Sequence, residues 1–374
     1  MSERVVFNYR GLEVKVSDEA DEEITGLLST TVVGSEGGMQ YIMRDIPGKI
    51  RAYGECMHFV TLRRNYSLAA VIGACFRIIS LGGNKFQTTF LRFLSFRQLY
   101  QTERFSGRSR SRHVEEGRGS FRSQALRIFS KPHLMGFPGV KEGDRHIFYA
   151  LVESRNERTK NIIQQAGFEH IRSFLTVAFS RFSPVSSPSV SLARSDDYPV
   201  IERHLNEFYN DYSFYFDDTG VSDRRYYVLK ENGRIIAGVS AIPTEHVIKN
   251  VPGVWGWIMM KVLPFAPYYR RLFHPGLFRF AALGSIFHLP GREEALVPLF
   301  ESVCVAAGCN TALTWVDDRG PLYETLRNRL DMGALNRMLN ARPGLVYANF
   351  TGYSEEEKEA FYEAPAYISG VDFS

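Results

Sequence analysis

Residues 144–182 pass from an unbroken apolar run through a polar, charged stretch into a second apolar run. Residues 147–152 (Ile-Phe-Tyr-Ala-Leu-Val) lack the in/out alternation of a strand with one wet face. They predict a strand covered on both faces, as at the centre of α/β domains. Ser154 and Glu157 have the Ser-x-x-Glu spacing of a capping box, which predicts a helix from near Arg155. The helix is expected to run through Lys160 and Ile163 to Gly167, because a residue free to take positive φ suits the position just past a helix end. Residues 168–182 then alternate loosely as another strand through Ile171, Phe174, Leu175, Val177 and Phe179.

The order of elements recurs downstream. Residues 278–288 predict a strand that meets a Pro290-Gly291 turn, and 293–307 carry helical apolar spacing (Leu296, Leu299, Phe300, Val303) before Gly308. Residues 310–316 read as a buried strand, 322–332 as a helix opened by Pro321 and closed by Gly333, and 345–350 as a returning strand. Residues 226–229 and 234–241 flank Asn232-Gly233, whose positive φ values suit a tight hairpin, and 58–63 with 68–79 form the matching pair upstream. Helices near 24–30 and 199–209 precede these hairpins. The seam is the polar, proline-stiffened Ser-Pro-Val-Ser-Ser-Pro-Ser of residues 183–189, so domains are expected at 1–183 and 190–374.

A chain of 374 residues suits two cores of ordinary size, and 44% hydrophobic with 23% charged residues is a globular composition. Cys56, Cys75, Cys304 and Cys309 lack metal-ligand spacing, so no metal is expected. The N-terminal residues mix charge with isolated apolar positions and offer no signal-peptide core, and no apolar stretch is long enough to predict a transmembrane segment. A reduced, cytoplasmic protein is the expectation. Net charge is +4, but seven arginines between Arg104 and Arg127 face only Glu115 and Glu116, a density that attracts phosphates of a cofactor or of a nucleic acid. Residues 254–273 are dense in aromatics beside Arg270 and Arg271, which suits core or interface packing, an acyl pocket or a membrane surface. Asp317 and Asp318 follow the strand at 310–316, a place for functional groups or for helix capping above Pro321.

The strand, the helix beginning at Asn156, and Gly167-Phe168 eleven residues on resemble the end of a GNAT-type N-acyltransferase domain, a superfamily that moves acyl groups from coenzyme A to amines. The resemblance covers roughly residues 3–182 and, more faintly, 190–350. It implies an α/β (α+β) fold of two tandem GNAT-like domains, each a mixed, mostly antiparallel sheet with a central splayed parallel pair flanked by helices. It also implies acetyl-CoA or another acyl-CoA as co-substrate, a small-molecule or peptide amine as acceptor, and Asn156 near the acyl sulfur and pantetheine. The family's pyrophosphate loop, Arg/Gln-x-x-Gly-x-Gly/Ala, is matched in part by Arg104-Phe105-Ser106-Gly107-Arg108-Ser109, which with Arg110 makes a candidate coenzyme grip. Gly117-Arg118-Gly119 competes, with Val114 where the arginine should stand. The second half lacks the loop and has Ala334 after Gly333, so it need not bind coenzyme.

The family's usual acid, a tyrosine four residues before the helix-ending glycine, is replaced here by Ile163, which holds no transferable proton. Glu153 and Tyr100, at the ends of the two central strands, are the candidate catalytic groups. Two other functions stay open: a catalytically silent coenzyme-A-binding sensor, suggested by Ile163, and a nucleic-acid binder using the arginine cluster. The cluster contains only Phe105 and Phe121 for base stacking, which disfavours the latter.

Overall fold

Fourteen strands hydrogen-bond into one sheet in the computed structural model, which describes residues 3–9, 11–35, 37–97, 127–218, 225–338 and 342–374. The strands are β1 (Glu3–Tyr9), β2 (Leu12–Ser17), β3 (Gln40–Met43), β4 (Met57–Arg64), β5 (Ser67–Leu81), β6 (Asn84–Phe96), β7 (His146–Glu153), β8 (Glu169–Ser180), β9 (Val190–Leu192), β10 (Arg225–Glu231), β11 (Arg234–Asn250), β12 (Phe278–His288), β13 (Thr311–Asp317) and β14 (Gly344–Thr351). Their spatial order is β1-β2-β4-β5-β6-β7-β14-β8-β13-β12-β11-β10-β9, with β3 on β11. All pairings are antiparallel except β6 with β7 and β12 with β13. The helices include α1 (Glu22–Thr30), α2 (Ile46–Tyr53), α3 (Glu157–Gln165), α4 (Tyr198–Phe208), α5 (Gly253–Lys261) and α6 (Leu296–Ala307). The fold is thus mixed α/β, with a mostly antiparallel sheet and one parallel pair in each half, as expected.

The centre of the sheet is an exchange. β14, the last strand of the second half, lies between β7 and β8 of the first, and β8 in turn borders β13. Each half's final strand therefore completes the other half's sheet. Gly344 permits the close β14–β8 approach, since a Cβ there would collide with the Phe174 ring. Where β8 meets β13, the buried Arg172 guanidinium grips Asp317 with two hydrogen bonds, Nε to Oδ2 at 2.8 Å and Nη2 to Oδ1 at 2.6 Å. Asp317 also accepts the N–H groups of Ala366 and Arg319, so one carboxylate joins the exchanged strands to the C-terminal tail.

The local chemistry mostly follows the sequence. Asn232 and Gly233 take φ of 50° and 79° in the β10–β11 turn, and Gly167 and Gly308 sit past helix ends at 81° and 63°. Two expectations are corrected. The Ser154–Glu157 capping box does not form: α3 starts at Glu157, two residues late, because Asn156 is itself the cap and accepts the Thr159 N–H at 3.0 Å. The helix expected at 322–332 is one α turn, Pro321–Glu324, then a π turn, Thr325–Arg329, before Leu330 extends.

Removing one partner of a buried ion pair leaves an uncompensated charge, which costs about 3–5 kcal/mol. Arg172→Met is expected to lower unfolding stability by about that amount in urea denaturation. A loss within about 0.5 kcal/mol, the range of ordinary surface substitutions, would show that the pair does not lock the exchange.

Candidate functional site

β6 and β7 run side by side only from Thr88 and Ile147 to Leu91 and Ala150. Beyond that point β6 bulges: its register with β5 shifts between Val71 and Gly73, and Phe93 adopts φ of 57°, a conformation rare for a bulky residue. Gly73 makes the bulge possible, since a Cβ there would already stand 3.2 Å from the Phe93 ring and 3.1 Å from the Met57 sulfur. The strands separate, and the sheet opens between them.

A cavity of about 650 Å³ fills that opening. Leu91, Ala150, Val152 and Ile163 line it on the face covered by α3, whereas Phe90, Phe174, Leu313 and Trp315 line it on the opposite face. The cavity therefore passes through the sheet. Val33, Gly34, Gly38 and Met39 border it from the loop before β3, and Met259 of α5 and Phe273 border it from the second half. Other apolar residues of 254–273 face outward: Val254, Trp257 and Phe265 are 77%, 61% and 84% exposed.

Two of the sequence candidates meet here. Glu153 ends β7 at the cavity wall, where its Oε2 accepts the Ser35 N–H at 2.8 Å and the Ser35 hydroxyl at 2.6 Å. Gly38 packs directly on the same carboxylate, and Arg155 donates to the Gly37 carbonyl at 2.5 Å, so the end of β7 holds the loop in place. Asn156 also lines the cavity; its cap uses the side-chain oxygen and leaves the amide NH2 group for a ligand. Ile163 is buried in the wall and offers no proton. Tyr100, Arg104, Gly107, Arg108, Ser109 and Arg110 lie outside the described residues.

Sequence reading passed over the polar groups on the far face. Arg92, one residue past the last β6–β7 pair, is buried on the cavity wall, as is His246, whose ring stacks at 4.4 Å on that of the half-buried Tyr41. A lone arginine inside Phe-Leu-Arg-Phe-Leu was the available signal, because unpaired arginine is rarely buried. The C-terminal tail supplies Asp372 and Phe373 to the same wall. Asp372 is clamped by Arg77 through two hydrogen bonds at 2.5 and 3.0 Å, and Phe373 stacks on Trp315 at 4.2 Å.

The second half repeats the geometry and closes it. β12 and β13 pair only at Ala281–Ala282 with Ala312–Leu313, and Ser285 (φ 43°) makes the matching bulge. There the buried Asp218 carboxylate accepts the hydroxyls of Ser285, Tyr367 and Ser369, while Tyr226 donates to the Ser285 carbonyl at 2.8 Å. Gly370 packs against the Leu283 backbone so tightly that a side chain would not fit. The tail thus occupies the second gap and leaves the first open.

The two halves, each with a splayed parallel pair, make the fold that the GNAT resemblance implied. Structures of Saccharomyces cerevisiae N-myristoyltransferase share it across almost the whole chain. One, with bound myristoyl-CoA, has a TM-score of 0.53 at 8% identity over 95% of this chain and 88% of that one. Another, with bound myristoyl-CoA and inhibitors, has a TM-score of 0.53 at 9% identity over 99% and 88%. A GCN5-related N-acetyltransferase from Anabaena variabilis aligns at a TM-score of 0.45 and 11% identity over 90% and 72%. No protein-family model matches the sequence, and no curated protein matches it either. Among the described residues no helix is long and apolar enough to cross a membrane.

Burial pushes His146 down to about 4 and His246 down to about 3, so both stay neutral in the folded chain at neutral pH. Unfolded histidines bind protons near pH 6.5, before the folded ones do. These two residues therefore cost nothing above pH 6.5, and stability is expected to fall as pH drops from there towards 4. Urea midpoints measured between pH 7.5 and 4.5 test this, with His146→Gln flattening the slope. An unchanged slope in that variant would contradict it.

Proposed function

We propose that the chain is an acyl-CoA-dependent N-acyltransferase whose first half holds the thioester in the gap between β6 and β7. The observation that carries this reading is the cavity through the sheet at that gap, bordered by Asn156 and Glu153. Its two mouths suit two substrates: coenzyme on the α3 face, beside the free amide of Asn156, and acceptor on the opposite face. In the reaction the neutral amine nitrogen attacks the thioester carbonyl carbon. A C–N bond forms, the C–S bond breaks, and the proton given up by the amine ends on the departing thiol. Holding both reactants in one gap supplies much of the rate by orientation alone.

The donor expected first was acetyl-CoA. An acetyl group needs only a small part of a cavity of about 650 Å³ whose walls are mostly Phe, Leu, Val and Met, so we favour a longer acyl chain. Myristoyl-CoA is the ligand bound in the N-myristoyltransferase structures that share the fold. The second half, whose gap the tail occupies, serves as wall and scaffold in this reading.

We assign Glu153 as proton acceptor for the incoming amine, its carboxylate oriented by Ser35. The silent-sensor reading keeps one observation, Ile163, since the wall lacks a proton donor there.

Calorimetry with acetyl-, decanoyl- and myristoyl-CoA tests the donor. Affinity is expected to rise with chain length, since each buried methylene contributes about 0.8 kcal/mol. Folded chain that binds none of them at millimolar concentration contradicts the reading. Glu153→Gln is expected to lower kcat for thiol release by about 10²–10⁴-fold while coenzyme affinity holds. Equal loss of coenzyme affinity would show instead that Glu153 only secures the 33–40 loop.

A further inference from the structure

The far wall of the cavity carries a buried cation, Arg92, which lies over the Tyr53 and Phe93 rings but has no carboxylate hydrogen-bonded to it among the described residues. Arg92 is 8% exposed; its Nη1 donates to the Tyr53 hydroxyl and, at 3.2 Å, to the Val371 carbonyl. Its Nε has no hydrogen-bond partner among the described residues. Asp372 attracts it, but both oxygens of that carboxylate are already bound by Arg77, so two buried guanidinium groups share one anion. Burial pushes Arg92 down to about 10, which leaves it cationic at neutral pH.

A second orphan stands on the same wall. His246 is 5% exposed and its Nε2 has no partner among the described residues. Tyr41 stacks on it, and Lys49, pushed down to about 7 by burial, adds positive charge nearby. Leaving a buried donor unsatisfied is costly, and more so for a charged one. An unanswered guanidinium N–H and an unanswered imidazole nitrogen on one cavity wall mark a place where a ligand supplies the partners, the imidazole donating through Nε2 in the tautomer that carries its proton there.

We infer that the Arg92–His246 wall binds the carboxylate of the acceptor, so that the amine acylated is an amino acid. A guanidinium presents its donors in the fork that a carboxylate matches, and charge-assisted bonds of this kind are the strong ones. Arg92 directly follows Leu91, the last β6 residue paired with β7. A carboxylate anchored there leaves an amino group one carbon away free to turn toward the gap. The anion site stands on the unanswered Arg92 N–H and the unanswered His246 nitrogen beside the guanidinium charge; naming its occupant as the acceptor rests on the acyl-transfer reading above.

N-decanoylglycine and N-decanoylglycinamide separate the possibilities without requiring turnover, since they differ only in the carboxylate, and the amide imitates a peptide acceptor. Calorimetry on the full chain is expected to show the acid binding about tenfold or more tighter than the amide. Arg92→Met should erase that preference. Arg92→Lys keeps the charge but loses the fork, and should reduce the preference if the methionine variant does not fold. Equal binding of acid and amide to the wild-type chain, binding of neither, or a preference that survives in a folded Arg92 variant would overturn the proposal. Acyl-CoA binding without a carboxylate preference would refute the anion site and leave the transferase reading intact. A carboxylate preference without acyl-CoA binding would do the reverse.

Discussion

Insertion of β14 between β7 and β8 joins the two halves into one sheet, and the position of every other functional element follows from that pairing. Because β14 borders β7 along its whole length, from Thr351 beside His146 to Gly344 beside Glu153, β7 is held straight on one edge while β6 bends away on the other. The gap is thus a consequence of unequal support: eight residues of antiparallel pairing on one side and four of parallel pairing on the other. The Arg172–Asp317 pair fixes the neighbouring β8–β13 seam and, through Ala366, starts the tail on its route.

That tail sets the two halves apart. Both contain a parallel pair that stops early and a bulge with a non-glycine residue at positive φ, Phe93 in one and Ser285 in the other. In the second half the gap is closed by a satisfied buried network around Asp218. In the first, the wall keeps the Arg92 Nε and His246 Nε2 atoms, which nothing among the described residues answers. A fully bonded polar cluster rigidifies, whereas an incomplete one is costly unless a ligand completes it. The contrast between a gap filled to about 20 Å³ and one open to about 650 Å³ is the physical basis on which we propose the first half as the site of the chemistry.

Much of the architecture was legible in the sequence because its signals are local. The unbroken apolar run of β7, the Asn232-Gly233 turn and the glycines at 167 and 308 each declare their conformation within a few residues. The exchange was not legible. β8 and β14 are both apolar strands that satisfy either neighbour, and only long-range packing such as Phe174 against Gly344 selects the pairing. The bulge at Phe93 escaped for a related reason, since a left-handed conformation on an aromatic residue whose ring packs on Gly73, a distant position in the chain, has no local signal. Glu153 and Asn156 were found because strand ends and helix starts can be counted from the sequence. Arg92 and His246 were missed because their meaning depends on long-range burial that leaves one nitrogen of each without a partner among the described residues.

The most direct test is a crystal structure with a non-hydrolysable decanoyl-CoA analogue. The account predicts pantetheine beside Asn156, the acyl carbonyl at the gap past Leu91 and Ala150, and the chain within the part of the cavity lined by Leu91, Val152 and Ile163 on the α3 face. An analogue bound at the β12–β13 gap, or on the surface with the β6–β7 gap empty, would contradict it.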